Sequence, residues 1–368
     1  MGKGPCRGPS AADKDPRGSD CTREQDTRIL GFLTACLARS VEVHSILPLE
    51  GDASDRRYLR VQVTSDRGRA LRSYVVMVLD TPWQADKGMK ELPFINIARY
   101  LAHALIPVPE IYSYDSLQGM LLLEDLGELT LQRFLQGRPW AEQRGYYHEA
   151  ISLLLAMQAL EDRPEDDSCY AMQRAFDAET FFRELLFFLE HAVEGLWRLT
   201  ILPSHRRELE EQFLALCQAI SPVANVFTHR DYHSRNLMVK EGCLRVLDFQ
   251  DARMGTMYYD LASLLRDSYM ERSDEAVFEL LDHYRQSAHS RTMRSMDTSS
   301  FLEAFDRTCI QRNLKAVGTF AYQASKRGRD QYLHYIPRTL RYVRSNLAKY
   351  KDLKDLKRIL GSYVKELR

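Results

Sequence analysis

At 368 residues, with 45% hydrophobic and 28% charged side chains, the chain has the length of about two domains and the composition of an ordinary globular protein. Its 51 basic residues balance its 51 acidic residues, which gives no global electrostatic reason to expect nucleic acid or an anionic membrane as a partner. The seven cysteines are scattered without a CxxC pair, which argues against a disulfide framework or a zinc site and favours a reducing cytoplasm.

Residues 1–25 are rich in Gly, Pro, Ser and charged side chains and contain almost no large apolar ones. Such a segment buries too little surface to offset the entropy lost on ordering, so we expect a disordered extension. It lacks the apolar h-region of a secretory signal. No part of the chain approaches the ~18 consecutive apolar residues of a membrane span, so we expect no transmembrane segment.

From residue 26 to residue 127 the pattern favours a small, mainly β lobe. A helix is predicted over 27–38, where apolar residues recur at helical spacing. Three strand-like runs follow, then a helical stretch at 86–105, then two more short strands. The predicted strands cover residues 44–49, 57–63, 73–80, 110–115 and 119–125.

From residue 128 to residue 368 the chain is predicted to be mostly helical, with one tight hairpin around Glu241-Gly242. The fold class is therefore α+β, with a β-rich N-lobe, a short hinge and a larger helical C-lobe. A cleft between two lobes is a favoured place for a ligand site. The clearest runs of i, i+3, i+4 apolar spacing lie at 148–160, 179–197 and 205–220.

Three polar side chains lie at the ends of apolar runs that are predicted strands. Asp231 follows VANVFTH, Asn236 precedes LMV, and Asp248 follows LRVL. Charged groups in such places are costly unless they are paired or bound to a cation. Because the hairpin returns the chain, Asn236 and Asp248 are expected side by side, as a hard-cation site of the kind that Mg²⁺ occupies together with phosphate oxygens. Asp231, at the mouth of that site, is placed to accept a proton from an attacking hydroxyl.

The order of these residues matches the protein-kinase catalytic loop H-R-D-x-x-x-x-N, followed by the Asp of D-F-G. Here the loop is HRDYHSRN at 229–236, and the later triplet is Asp248-Phe249-Gln250. The alternative interpretation is a set of solvated loop carboxylates and a helix N-cap. The complete and correctly ordered set, with a hairpin between its parts, favours phosphoryl transfer and a bilobal, protein-kinase-like fold.

With these motifs the sequence resembles the aminoglycoside phosphotransferase/choline kinase group of small-molecule kinases. More narrowly, it is similar to the anomeric N-acetylmuramate/N-acetylglucosamine kinases of bacterial cell-wall recycling. The resemblance covers roughly residues 28–345. It rests on GDASDRRYLR (51–60), LLLEDLG (121–127), HRDYHSRNLM, VLDFQDA and YYDLASLLRDSY (within 229–270), and QRNLKAVGTFA (311–321).

The resemblance implies that Asp231 is the catalytic base, that Asn236 and Asp248 hold Mg²⁺, and that ATP is the phosphoryl donor. It implies that Asp260 is a buried acid bracing the catalytic loop, although Asp260 could equally cap the helix that follows it.

The resemblance also implies that the GDAS loop faces the nucleotide phosphates and that the hinge at 123–126 holds adenine through its backbone. By itself GDAS is also a turn sequence, whose small residues let backbone N–H groups approach phosphate oxygens. The implied nucleotide-binding residues are Gly51, Asp52, Ala53, Ser54, Glu124 and Leu126.

The third strand of the N-lobe departs from the protein-kinase pattern, in which a lysine grips the α/β-phosphates. The strand reads SYVVMVLD, with Met77 near the expected position. Arg57, on the strand after the GDAS loop, is the candidate replacement, and the alternative is that it only pairs with a surface acid. Glu91 is the candidate for the acid that usually partners the missing lysine.

Other residues of the same motifs are candidate site residues. His233, two residues after the base, is a candidate donor to the transferred phosphoryl group, and the alternative is a packed loop residue. Arg235 and Gln250 are candidate substrate contacts from the catalytic loop and the later triplet. Arg312 and Asn313, from QRNLKAVGTFA, are candidate substrate contacts from a C-lobe helix.

The C-terminal stretch RTLRYVRSNLAKYKDLKDLKRIL is predicted as an amphipathic helix with a basic outer face. Such a helix can lie on a membrane or bind a partner. The alternative is a helix packed on the C-lobe with a solvated basic face.

By the resemblance, the predicted function is ATP- and Mg²⁺-dependent phosphorylation of the anomeric hydroxyl of N-acetylmuramic acid, N-acetylglucosamine or both. The α-1-phosphate would feed the salvage route to UDP-N-acetylmuramic acid. One alternative is another kinase of the same fold with an aminoglycoside or amino-alcohol acceptor, but the chain lacks the acidic C-terminal cluster that a cationic acceptor calls for. The second alternative is a catalytically silent nucleotide-binding protein, and the presence of all three key polar residues argues against it.

Overall fold

The computed structural model describes residues 17–37, 41–49, 56–65, 68–84, 89–160, 169–221, 226–288 and 296–368. Two compact units are present, one formed by residues 1–84 with 110–125 and the other by residues 85–109 with 126–368. The smaller unit is a sheet with one helix and the larger is mostly helical, which confirms the predicted α+β class. Within the described ranges, no helix combines the length and the apolar character needed to cross a membrane.

A five-stranded antiparallel sheet forms the smaller unit. Its strands are β1 (Val41–Leu49), β2 (Arg56–Ser65), β3 (Gly68–Leu79), β4 (Ile111–Asp115) and β5 (Met120–Glu124), in the spatial order β1-β2-β3-β5-β4. Alternate residues of the central strands, such as Val61, Val76 and Leu122, form one apolar face because side chains alternate along a strand. The helix α1 (Arg17–Leu37) buries Phe32 and Leu33 in that core.

The first helix begins earlier than its apolar pattern indicates. The sequence predicted a disordered extension over 1–25 and a helix over 27–38, whereas the helix starts at Arg17. The helix thus overlaps the end of the predicted extension, and residues 1–16 lie outside the described ranges. Once a helix has formed, each added residue gains a backbone hydrogen bond without needing an apolar face, so apolar spacing marks its packed part only.

The larger unit contains ten α-helices within the described ranges, together with a π-helical turn, three 3₁₀ turns and four short strands. The α-helices are α2 (Pro93–His103), α3 (Leu131–Leu135), α4 (Trp140–Gln158), α5 (Ala178–Phe188), α6 (Pro203–Ile220), α7 (Tyr258–Leu265), α8 (Asp274–Ser287), α9 (Thr298–Arg327), α10 (Ile336–Leu347) and α11 (Lys354–Tyr363). The π-helical segment is Leu189–Leu196, and the 3₁₀ turns are Asp330–Tyr335, Lys351–Leu353 and Lys365–Leu367. The strands are β6 (Val226–Thr228), β7 (Leu237–Lys240), β8 (Cys243–Val246) and β9 (Arg253–Gly255).

The helix α2 packs within the larger unit, although the sequence assigned its stretch, 86–105, to the small lobe. The ring of Phe94 lies 5.0 Å from that of Phe249, and Asn96 Oδ1 accepts a hydrogen bond from the backbone N–H of Tyr170. Position along the chain suggested the small lobe, because the helix lies between strands of one sheet. Its apolar and amide side chains instead find their packing and hydrogen-bond partners among residues that come later in the sequence.

The hairpin predicted around Glu241-Gly242 is present. β7 and β8 pair antiparallel from Leu237–Val246 to Lys240–Cys243, leaving a two-residue turn. Glu241 and Gly242 have φ values of 53° and 81°, and positive φ at both central residues is the conformation whose twist suits a two-residue hairpin.

The longest helix, α9, is buried through its middle and exposed at both ends. It starts at the N-cap Asp297, whose side chain accepts from Ser300 N–H, and ends at Gly328, whose φ is 66°. Near its middle, a Cβ at Gly318 would lie 2.8 Å from Cα of Phe188 at the end of α5. The backbones of α5 and α9 therefore approach too closely at this point for any larger residue.

The C-terminal stretch forms two helices, α10 and α11, rather than one continuous helix. Their apolar residues are buried in one core with α5, α6 and α9, which confirms the packed alternative for this stretch. The sequence pattern missed the break, because the segment between the helices continues the apolar spacing through a 3₁₀ turn. The residues that carried the pattern and are buried are Leu340, Val343, Leu347, Leu353, Leu356 and Leu360.

Candidate active site

A buried carboxylate fixes the loop that follows β6. Asp260 of α7 is 1% exposed and accepts hydrogen bonds from the backbone N–H groups of His229 (2.6 Å) and Arg230 (2.9 Å). Burial raises the pKa of Asp260 to about 6, although the charge of His229 and the two N–H bonds act to lower it. Arg230 has a φ of 78°, which few non-glycine residues adopt. Asp260 therefore holds the loop in an unusual backbone conformation, immediately before Asp231.

The same loop is tied to the segment that follows the hairpin. His229 is fully buried, and its Nε2 lies 2.8 Å from the carbonyl oxygen of Leu247. The backbone N–H of Leu247 donates in turn to the carbonyl oxygen of Asn236, at 2.8 Å. These contacts bring residue 248 beside residue 236, as the hairpin pattern predicted.

Asp231 lies in a strongly positive environment. Its carboxylate oxygen Oδ1 is 3.2 Å from Nζ of Lys315, and the two side chains are 33% and 21% exposed. Burial alone would raise the pKa of Asp231, but the charges of Lys315, Arg230, His233 and Arg312 hold it well below its ordinary value. Asp231 is therefore ionised at neutral pH, as a group that is to accept a proton must be.

Asn236 and Asp248 are neighbours, as expected. Nδ2 of Asn236 donates to the carbonyl oxygen of Asp231 (2.9 Å) and to Oδ2 of Asp248 (3.3 Å). Asp248 is exposed, and its φ of 62° is a second left-handed conformation in the site. Gln250 is 6% exposed, and its Nε2 donates to Oδ1 of Asp248 at 2.7 Å. The Asn236 and Asp248 side chains thus meet beside the backbone of Asp231, in one small region of the larger unit.

The chemistry of this donor set suits Mg²⁺ held jointly with a ligand. Asn236 and Asp248 supply amide and carboxylate oxygens, which are the ligands that Mg²⁺ prefers. In the part of the chain that the structure describes, no three His, Cys, Asp or Glu side chains cluster as a complete metal site. Mg²⁺ commonly binds through one or two protein side chains plus phosphate oxygens, so the residues present fit that mode.

His233 and Arg235 pack into the surrounding helices. His233 is 8% exposed, and its ring centroid lies 5.0 Å from that of Tyr269. The guanidinium of Arg235 lies 4.2 Å over the Tyr269 ring and donates to the hydroxyl of Tyr335 (3.0 Å) and to Oε1 of Gln132 (2.9 Å). These contacts anchor the loop that carries Asp231.

Arg312 and Asn313 are enclosed by α9 and its neighbours. Arg312 is 5% exposed and donates to Oγ of Ser263 (3.1 Å) and to Oδ1 of Asn313 (3.3 Å), and Asn313 is fully buried. The residue of α9 that reaches Asp231 is Lys315, which the sequence reasoning missed. A signal was present, because a lysine in the apolar run LKAVG needs a partner by the same argument that singled out Asp231.

A second residue that sequence reasoning missed supports the loop from α5. Oε1 of Glu184 accepts from Arg230 NH2 (3.0 Å), and Oε2 of Glu184 accepts from Nε2 of Gln311 (3.0 Å). The Arg230 and Glu184 side chains are only 16% and 13% exposed, and the guanidinium also lies 4.8 Å over the ring of Phe176. Arg230 is therefore held on the side of α5, with its charge compensated.

The predicted nucleotide-binding residues are described only in part. Gly51, Asp52, Ala53 and Ser54 lie outside the described ranges. The side chain of Arg57 is 54% exposed, and its Nε lies 3.9 Å from Oδ1 of Asp80, a contact with a surface acid.

The positions around the hinge agree with the predicted elements. Glu124 is the last residue of β5, and Leu126 is 7% exposed. Met77 is fully buried in β3, at the position where the sequence lacks a lysine. Glu91 accepts hydrogen bonds from Nδ2 of Asn96 (3.1 Å) and from Arg99, so it is engaged at the start of α2.

Comparisons with known proteins match most of the chain. Residues 45–297 match the model of the phosphotransferase enzyme family. The N-acetylmuramate/N-acetylglucosamine kinase of Pseudomonas aeruginosa is 32% identical over 86% of this chain and 88% of its own length. The N-acetylmuramate/N-acetylglucosamine kinase of Neisseria meningitidis serogroup B is 30% identical over 85% of this chain and 89% of its own length.

Solved structures confirm the fold. The ADP-bound aminoglycoside phosphotransferase APH(2'')-Ib superposes with a TM-score of 0.54 at 13% identity, over 86% of this chain and 97% of that one. The ethanolamine kinase of Plasmodium vivax superposes with a TM-score of 0.55 at 13% identity, over 84% of this chain and 82% of that one. At such identities the likeness concerns the fold alone, which is the protein-kinase-like fold predicted from the sequence.

Proposed function

Because this chain belongs to the phosphotransferase enzyme family, we propose that it transfers the γ-phosphoryl group of ATP to the anomeric hydroxyl of N-acetylmuramic acid, N-acetylglucosamine or both. The observation that carries the acceptor class is its similarity, over most of its length, to kinases named for these two sugars. The contacts of Asn236 with Asp248 and with the backbone of Asp231 support the reaction type.

Asp231 is the catalytic base of this proposal. It accepts the proton of the anomeric hydroxyl while the hydroxyl oxygen attacks the γ-phosphorus and ADP leaves. Asn236 and Asp248 are the residues that would hold Mg²⁺, which when bound neutralises charge on the phosphate oxygens. Gln250, through its hydrogen bond to Asp248, would keep that carboxylate oriented.

The remaining site residues have supporting roles. His233 and Arg235 lie on the loop that presents Asp231, and Arg312 and Asn313 lie on the helix that carries Lys315. We propose that all four lie in the substrate region, near the base. On the nucleotide side we propose Gly51 to Ser54, Arg57, and the backbone at Glu124 and Leu126. The proposed division is an N-lobe at 26–127 for nucleotide and a C-lobe at 128–368 for catalysis.

The proposed product is the α-1-phosphate of the sugar. Such a product would be consumed on a salvage route toward UDP-N-acetylmuramic acid, as in the recycling of cell-wall sugars. A cytoplasmic location is part of the proposal, because ATP and the scattered cysteines of the sequence both suit that compartment.

A substrate panel tests the acceptor class. The purified protein, with Mg²⁺ and ATP, is assayed for ADP release with N-acetylmuramic acid, N-acetylglucosamine, their borohydride-reduced alditols, kanamycin and choline. We expect turnover with one or both sugars and none with the alditols, which lack an anomeric hydroxyl, and phosphorus NMR should show a sugar 1-phosphate. Turnover confined to kanamycin or choline would instead favour an aminoglycoside or amino-alcohol kinase. A protein with no turnover that is stabilised thermally by ATP and Mg²⁺ would be a silent nucleotide-binding protein.

Asp231→Asn tests the base. The amide keeps the size of the carboxylate but cannot take the proton, so kcat should fall by about 10²–10⁴-fold. Asp282→Asn, an exposed carboxylate on α8 that bonds Gln286, is the matched control and should leave kcat unchanged. Equal turnover by Asp231→Asn and wild type would remove Asp231 from the reaction.

A further inference from the structure

Lys315 places an ammonium group directly on the candidate base. Its Nζ is 3.2 Å from Oδ1 of Asp231, and both side chains retain partial exposure, at 21% and 33%. A group reacting at Asp231 would therefore meet Lys315 as well. An ammonium has three donors, so it can bond one carboxylate oxygen and still donate to another anion.

The position of Lys315 is fixed by the packing of α9. Its neighbours Leu314, Ala316 and Val317 are buried, and Gly318, one turn further on, lies against the backbone of Phe188 with no room for a Cβ. The backbone from which the lysine projects therefore cannot shift without opening the contact between α5 and α9. Functional groups carried on such rigid elements are placed more precisely than groups on loops.

Two of the other cations that act on Asp231 are bonded to other partners. Arg230 is bonded to Glu184, and Arg312 is bonded to Ser263 and Asn313. The strand position where protein kinases carry a phosphate-gripping lysine is occupied here by Met77, which is fully buried. Phosphoryl transfer places charge on the three equatorial oxygens of the transferred group, and a cation near them stabilises the transition state.

We propose that Lys315 is a catalytic residue that binds the phosphoryl group during transfer. This inference rests on the proposed function. The acceptor oxygen forms a bond to the γ-phosphorus while the bond from that phosphorus to the β–γ bridging oxygen breaks. The acceptor proton passes to Asp231 and ADP leaves. Lys315 keeps its proton throughout and donates hydrogen bonds to Asp231 and to an equatorial phosphoryl oxygen.

A binding experiment tests this role without any acceptor. The affinity of the protein for ADP and Mg²⁺ is measured by calorimetry with and without aluminium fluoride, which mimics the transferred group. Wild type should bind ADP more tightly with the fluoride than without it. In Lys315→Met this gain in ADP affinity should be smaller by at least about tenfold, whereas its affinity for ADP alone should equal that of wild type. Lys315→Arg should keep part of the gain, and Lys326→Met, an exposed lysine on the same helix, should keep all of it. An equal gain in Lys315→Met and wild type, or no gain in wild type, would overturn the proposal.

Kinetics with two acceptors separate this role from recognition of the sugar. N-acetylmuramic acid has a carboxylate that N-acetylglucosamine lacks, so a lysine that binds the phosphoryl group should matter equally for both. Lys315→Met should lower kcat by about 10²-fold or more with either sugar, with little change in KM, because one donor to a developing charge is worth about that much. A defect confined to the KM of N-acetylmuramic acid would overturn the proposal and assign Lys315 to that carboxylate. If wild type phosphorylates neither sugar, the proposed function fails, while the calorimetric comparison still decides the role of Lys315.

Discussion

Arg230 and Asp248 bracket the candidate site, and both adopt left-handed backbone conformations without being glycine. Such conformations cost on the order of 1–3 kcal/mol each and persist only where surrounding contacts enforce them. The enforcing contacts here are the bonds of Asp260 to the loop and of His229 to Leu247. Asp260 therefore helps to maintain a strained backbone conformation next to the candidate site.

The protonation of Asp260 should be visible in the pH dependence of stability. Its folded-state pKa, about 6, is above the ordinary aspartate value, so its contribution to stability is present below about pH 4 and is lost as the pH rises through 6. Urea unfolding of wild type and Asp260→Asn at pH 4 to 7 should show wild type losing on the order of 3 kcal/mol relative to the variant. Asp282→Asn should follow wild type, and parallel curves for Asp260→Asn and wild type would contradict the prediction.

At the residue scale, the sequence predicts the groups that lie in one local motif and misses those that come from far along the chain. Asp231, Asn236 and Asp248 lie within 18 residues, and a hairpin between them is readable from Glu241-Gly242. Lys315 is 84 positions from Asp231, so their pairing depends on how α9 is rotated in the fold. The same rotation encloses Arg312, which the sequence pattern offered as a candidate substrate contact.

At the scale of elements, apolar periodicity located most helices but did not determine their neighbours. α2 was placed with the sheet because of its position along the chain, whereas Phe94 and Asn96 find their partners in the larger unit. The predicted helix at 179–197 is present, but its second half is π-helical, with Trp197 N–H bonded to Ala192 O. A change from i–4 to i–5 bonding leaves no clear mark in an apolar pattern.

The crossing of α5 and α9 should be highly sensitive to a single methyl group. At Gly318 an added Cβ would meet the Phe188 backbone at 2.8 Å, so Gly318→Ala should destabilise the protein by about 1–3 kcal/mol through overpacking. Gly145→Ala in α4, where nothing lies within 4 Å, should stabilise by about 0.5–1 kcal/mol through helix propensity. Thermal unfolding of the two variants measures both effects, and a neutral Gly318→Ala would contradict the close approach.

At the scale of the whole molecule, the C-terminal helices complete the core of the larger unit. Leu356, Leu360 and Leu367 are almost fully buried beside residues of α5, α6 and α9. A basic amphipathic pattern therefore does not by itself indicate a membrane-binding surface, because the apolar face here is already covered. The sequence permitted either outcome, since it does not show which surface the apolar stripe meets.

Truncation of one C-terminal leucine should weaken the larger unit as a whole. Leu356 is fully buried, so Leu356→Ala should lower the free energy of unfolding by about 2–5 kcal/mol. Lys354→Ala, at an exposed position of the same helix, should change it by less than about 0.5 kcal/mol. Urea unfolding followed by circular dichroism provides the measurement, and similar values for the two variants would show that α11 is not part of the cooperative core.

The residues of the candidate site all lie in one of the two compact units. Asp231, Asn236, Asp248 and Lys315 all belong to the larger unit, whereas β2, with Arg57, belongs to the smaller one. Mutations in the sheet can therefore accumulate without altering the elements that carry these four groups. A lineage can therefore vary the strand that carries Arg57 and inherit the residues proposed for phosphoryl transfer unaltered.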